Sequence, residues 1–169
     1  MEIDSHQDHI MMFAQALLLL FVANGAPIFA RLLLAGRFSP PIDRGWLLPD
    51  GQPLLGRSKS WRGVIAALLL TPLVAMVLGL SFMVGVQFAM FAMLGDLISS
   101  FIKRRCGIEP SDRAPGLDQI PESLLPLIML QSALGLTWVA ILALVILFII
   151  LGALFSRLLY RWNIRKRPY

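Results

Sequence analysis

Histidine and cysteine are nearly missing from this chain, and so are cations over most of its length. One cysteine, Cys106, excludes an intramolecular disulfide framework. No histidine lies near it to activate the thiol, so nucleophilic cysteine chemistry has no support. The two histidines, His6 and His9, fall at the N-terminus among Glu2, Asp4 and Asp8. Their spacing places both on one helical face, yet two ligands make a weak site, and no Cys/His cluster points to zinc. Lysine and arginine are absent before Arg31, between Arg62 and Lys103, and between Arg113 and Arg157. What fills these gaps is hydrocarbon. Hydrophobic residues make up 57% of the 169 residues, above the 45–50% or so of soluble domains, so the composition is that of a membrane protein. The acidic N-terminus lacks the positive n-region of a signal peptide, and the first apolar run is expected to be kept as a span.

A span needs about 20 apolar residues. The pattern predicts an all-α, polytopic integral membrane protein, one domain over 1–169, with about five transmembrane helices near 10–34, 63–80, 82–102, 122–137 and 139–160. Gly79-Leu80-Ser81 and Gly135-Leu136-Thr137 supply the tight reversals. Two polar loops remain, 35–62 and 103–121. Four spans would result if the last apolar stretch bent back within one leaflet.

The cations favour five. Arg31, Arg37, Arg44, Arg57, Lys59 and Arg62 border or occupy the first loop. Lys103, Arg104, Arg105 and Arg113 lie in the second, and Arg157, Arg161, Arg165, Lys166 and Arg167 at the C-terminus. Five spans bring all three groups to one side, which the positive-inside rule makes cytosolic, with the N-terminus outside. The net charge of +5 then reflects topology and anionic headgroups, and calls for no nucleic acid.

Within that frame Asp96 stands out, because an ionised side chain at the end of an apolar run needs a partner or a task. Asp96, Ser99, Ser100, Lys103 and Gly107 recur at spacings of three and four and share a helical face. Asp96 and Lys103 are about 10 Å apart along the axis, too far for an ion pair but within the span of a nucleotide's phosphates. Asp118 and Glu122 face the same way if a helix begins there, where acids are favoured in any case. Together with Asp96 they form a set of hard oxygen donors suited to magnesium, which binds through one or two carboxylates plus substrate phosphates. In the first loop, Lys59 and Arg62 straddle Trp61 behind Gly56. That arrangement suits an interfacial anchor and a phosphate cradle equally, and it lacks the order of a P-loop.

Taken in sequence, Asn24-Gly25-Ala26-Pro27, Pro41-Ile42-Asp43-Arg44-Gly45, Leu55 to Gly63, Gly95-Asp96-Leu97, Ser100 to Arg105 and Pro115-Gly116-Leu117-Asp118-Gln119 resemble the CDP-archaeol synthase family, relatives of the phosphatidate cytidylyltransferases. The resemblance implies a membrane cytidylyltransferase that makes a CDP-activated lipid from CTP and a lipid phosphate, releases pyrophosphate and uses Mg2+. It implies metal at Asp96 and Asp118, and a catalytic place for Lys103 beside them as a ligand of the triphosphate or lipid phosphate. It implies binding of the triphosphate or lipid phosphate by Lys59, Arg62 and Arg104, with Asp43, Ser100 and Arg105 in the same pocket. Three positions depart from the family pattern. Ser60 replaces a threonine, Glu109-Pro110 replaces Lys-Asp, and Pro121 stands where a second aspartate is expected, so Glu122 is the candidate substitute. A small transporter or channel is the alternative, and it leaves the one-sided charge unexplained.

Overall fold

The computed structural model describes residues 2–34, 37–109 and 116–161, with side chains over 7–34, 37–109 and 116–155. Arg113, Pro110, Pro115 and the cationic tail, with the Arg157 and Arg161 side chains, lie outside that description, as does the His6 side chain. Five helices make up the fold: α1 (Glu2–Leu33), α2 (Trp61–Val77), α3 (Phe82–Arg105), α4 (Gln119–Met129) and α5 (Trp138–Arg161). Among the described residues the β pairing is limited to two isolated bridges, Pro41 with Ser60 and Leu47 with Pro53. Gln7–Leu33, Phe82–Arg105 and Trp138–Phe155 are long and apolar enough to cross a membrane. The protein is therefore an all-helical, multi-pass membrane protein. Its outer faces carry Leu69, Leu73, Met90, Leu142 and Ile146 in the open, as expected where the surrounding solvent is lipid.

The helices alternate in direction. Near one end of α1, Gln15 donates to the Leu78 carbonyl in the α2–α3 turn, and Met12 lies against Gly135 in the α4–α5 connection. Near its other end, Pro27 packs on Gly63 at the start of α2. Both reversals predicted from glycine therefore fall at one end of the bundle, and the first polar loop falls at the other. Leu19, Leu20, Ala23, Phe88, Leu127 and Leu144 close the core between α1, α3, α4 and α5. Phe21 stacks edge-on against Phe155, with ring centroids 5.6 Å apart.

The fourth element differs from the expected 122–137. Its helix has 11 residues and ends at Met129, about 16 Å of axis, roughly half the hydrocarbon thickness. Turns occupy most of the path from Leu130 to α5. Pro126 lies inside α4, and Gly135 takes a left-handed φ of 58°. The apolar run is continuous through this stretch, and hydropathy does not register the helix end.

Small residues set the packing of α2 on α3. A Cβ on Gly85 would sit 2.5 Å from the Pro72 Cα and 2.8 Å from the Ala75 Cβ. A Cβ on Gly25, in α1, would meet nothing within 4 Å. Gly85→Ala is therefore expected to lower the thermal midpoint in detergent, by the equivalent of about 1–3 kcal/mol for overpacking. Gly25→Ala should leave the midpoint unchanged or raise it slightly. Equal midpoints for the two variants would show that α2 and α3 have room to part.

Candidate functional site

The charged residues gather where loop 1 (37–60) meets the C-terminal half of α3 and the start of α4. Asp96 lies about 14 Å of helix inside the Arg105 end of α3. At that depth a carboxylate needs a counter-charge, and Lys59 of loop 1 supplies it: Nζ lies 2.5 Å from Oδ1. Two turns further along, Lys103 Nζ pairs with Asp118 Oδ1, also at 2.5 Å. Asp118 sits at the N-cap position of α4, yet its carboxylate makes no cap hydrogen bond. Gln119 holds this turn instead, its side-chain oxygen accepting from the Gly116 N–H. The acid that helix-end preference alone would explain is thus committed to α3.

Gly95 brings the two helices together. A Cβ there would fall 2.2 Å from the Pro121 carbonyl oxygen and 2.8 Å from the Glu122 Cα. No side chain fits, so the backbone of α4 rests directly on α3 beside Asp96. Glu122 is half-buried within electrostatic reach of Asp96, Lys59, Asp118 and Lys103. Of the predicted face of α3, Ser99, Ser100 and Lys103 are buried, joined by Arg104, which is not part of it, while Gly107, just past the helix, is exposed along with Ile98, Phe101 and Ile102. Ser99 Oγ donates to the Asp96 carbonyl, and the buried Ser100 Oγ has no hydrogen-bond partner.

Other candidates have different employment from the one expected. Asp43, expected among the substrate-binding residues, is 7% exposed and turned inward on its own loop. Its Oδ2 accepts from the N–H groups of Leu55 (2.9 Å) and Gly56 (2.8 Å), and Oδ1 from Gly45. The loop pays for this with a left-handed Arg44, φ 50°. Arg105 pairs with Asp50 at 2.8 Å, donates to the Pro53 carbonyl and covers the Phe101 ring, which fastens loop 1 to α3. Arg62 donates to the Arg37 carbonyl and Arg104 to the Glu109 carbonyl. Sequence reasoning missed Asp50 and the close approach at Gly95. The only trace of either is the glycine placed directly before Asp96.

No group of three or more acids, histidines or cysteines is poised around a metal among the described residues. The expected triad of Asp96, Asp118 and Glu122 is therefore not assembled as a cage, because lysine ammoniums hold the oxygen faces of two of its members. The donor set nevertheless suits a hard cation that completes its shell with phosphate and water.

A helical bundle carrying paired lysines and carboxylates at one end defines a multi-pass membrane protein with a charged cluster at that end. Comparison with known proteins narrows this. The sequence profile described as CarS-like, CDP-archaeol synthase, matches residues 78–169. Curated CDP-archaeol synthases are similar: that of Saccharolobus solfataricus is 36% identical over 124 residues, 70% of this chain and 71% of the relative. That of Pyrococcus furiosus is 38% identical over 109 residues, covering 59% and 62%, and that of Hyperthermus butylicus 36% identical over 104 residues, covering 58% and 59%. The matched region thus spans about three fifths of the last two relatives' length. A solved structure of an intramembrane enzyme for archaeal membrane lipid biosynthesis superposes with a TM-score of 0.67 at 31% identity, over 82% of this chain and 88% of that one. The chain belongs to the CDP-archaeol synthase family.

Asp43 yields a local prediction. Burial by itself raises its pKa, but the N–H groups of Gly56, Leu55 and Gly45 outweigh it and hold the carboxyl below its ordinary value. A depressed carboxyl stabilises the fold above the unfolded pKa, and that stabilisation is lost as pH falls through the folded one. Loop 1 should therefore stay ordered throughout the neutral range. Asp43→Ala should speed tryptic cleavage after the exposed Arg44 and Arg57 at least about tenfold, the equivalent of one charge-assisted hydrogen bond. Unchanged cleavage rates would mean the loop does not depend on Asp43.

Proposed function

We propose that the protein is a membrane cytidylyltransferase, making a CDP-activated lipid from CTP and a lipid phosphate with release of pyrophosphate. The observation that carries this is the convergence of Asp96, Asp118, Glu122, Lys59 and Lys103 at one end of an apolar bundle, in a chain of this family. A lipid headgroup and a nucleotide meet naturally there, with the lipid tails left in the bilayer. A cleft of about 350 Å³ between α1 and α2, lined by Phe21, Gly25, Phe29, Leu70 and Val74, offers an apolar chain a resting place on the same pair of helices that carries Arg62. On this reading the charged end faces the cytosol and the N-terminus lies outside.

In the reaction a phosphate oxygen of the lipid attacks the α-phosphorus of CTP. The new O–P bond forms as the bond to the β-phosphate oxygen breaks, and pyrophosphate leaves with that electron pair. A phosphate monoester is already anionic, so no strong general base is needed, consistent with a site built without histidine. Lys59 and Lys103 bind and orient the phosphates and offset the charge that builds on the leaving oxygen. Asp96 and Asp118 would hold magnesium, with Glu122 beside them, and the ion when bound supplies further charge neutralisation. Asp43 and Arg105 set the position of the loop that delivers Lys59. Gly95 sets the distance between the acids on α3 and α4.

Purified protein given labelled CTP, magnesium and a panel of isoprenoid-ether and fatty-acyl phosphates is expected to form a CDP-lipid with at least one acceptor. Asp96→Asn and Asp118→Asn should each lower the rate at least about a hundredfold with expression intact. Glu122→Gln should raise the magnesium concentration required. Failure with every acceptor, at protein loads where a relative is active, would refute the assignment. Unaltered magnesium dependence in Glu122→Gln would remove that residue from the metal site.

A further inference from the structure

We infer that Lys59 and Lys103 are exchangeable counter-ions, each reserving on one acid the place a divalent cation takes, and each passing to a nucleotide phosphate when that cation binds. The inference rests on the functional reading above and adds to it an order of events and a coupling. Both ammoniums lie 2.5 Å from a carboxylate oxygen, in the first coordination sphere of the atoms a metal would use. Each pair joins different segments: loop 1 to α3 through Lys59 and Asp96, and α3 to α4 through Lys103 and Asp118. The partly buried acids thereby avoid the cost of standing without a counter-charge.

The choice of residue supports exchange over permanent bonding. Lysine is scarce here, with three in the sequence, Lys59, Lys103 and Lys166, against twelve arginines. Two of the three stand on these acids. The arginines nearby bond groups outside the cluster: Arg62 the Arg37 carbonyl, Arg104 the Glu109 carbonyl, and Arg105 Asp50 and the Pro53 carbonyl. A planar guanidinium holds several acceptors at once, whereas an ammonium is a compact point charge on a flexible stem that can swing between acceptors.

Charge accounting agrees. The Lys59–Asp96 and Lys103–Asp118 pairs are each neutral. A divalent ion that takes the carboxylate oxygens leaves the ammonium charge uncompensated, and a triphosphate is an anion that can take it up. Metal and nucleotide must then strengthen one another's binding by the same factor.

Two measurements that involve no turnover test this. Mn2+ binding is followed by electron paramagnetic resonance on the full chain in detergent without nucleotide. Lys59→Met and Lys103→Met should each bind Mn2+ about tenfold more tightly than the wild type, because the competing ammonium is gone. In the wild type, CTP should tighten Mn2+ binding more than in either variant. Affinities equal to or weaker than wild type would overturn the inference. Acetylation of the unaltered protein, read by mass spectrometry with Lys166 as internal reference, applies even if neither variant folds. Mn2+ alone should raise labelling of Lys59 and Lys103, and added CTP should lower it again. Labelling indifferent to Mn2+ would equally overturn it. A protein that shows the exchange but makes no CDP-lipid would sink the functional reading alone, while one that makes CDP-lipid without the exchange would sink this inference alone.

Discussion

The Lys59–Asp96 pair is the contact on which the charged end of this molecule depends. Asp96 lies well inside α3, behind an apolar run, where an isolated carboxylate is far costlier than at a water-exposed surface. The counter-charge cannot come from α3, because Lys103 is too far along the axis. It comes from loop 1, and that requirement explains much of the loop. Asp43 gathers the Gly45, Leu55 and Gly56 amides so that the chain doubles back. The Ile42 N–H then donates to the Lys59 carbonyl, and Arg105 holds the 50–53 turn against α3. Each is a small contribution to one end, the placement of a single ammonium.

The second pair is built by the same logic through a different device. The start of α4 must come near enough to α3 for Asp118 to reach Lys103, and a glycine at position 95 lets the two backbones touch. It is the Pro121 carbonyl that meets Gly95 at this contact. A proline near the first turn of a helix keeps its carbonyl and gives up only an N–H that has no helical partner there. Pro121 is therefore compatible with the close approach, and Glu122 is the acid that follows it on α4.

Much of the architecture could be read from residue order. The hydrocarbon runs, the reversals at Gly79 and Gly135, and the buried face of Ser99, Ser100 and Lys103 follow from periodicities of one chain segment at a time. The short α4 could not be read so, because a continuous apolar run carries no mark of where helical hydrogen bonding stops. Nor could the employment of Asp43 and Arg105. An acid and a base in polar loops look alike whether they face a ligand or a backbone amide.

Sequence alone determined that this is a helical membrane protein, which residues share the polar face of α3, and the ordered set of motifs that resemble the CDP-archaeol synthase family. Such properties depend on spacing along the chain, which composition and the helical period express directly. The tertiary structure decided which lysine neutralises which acid, that Asp43 and Arg105 shape the loop, and that the three carboxylates do not stand together as a cage. Pairings of that kind join residues 15 to 55 positions apart. They are settled by where packing brings the backbones, at Gly95 above all, and no local pattern encodes that distance.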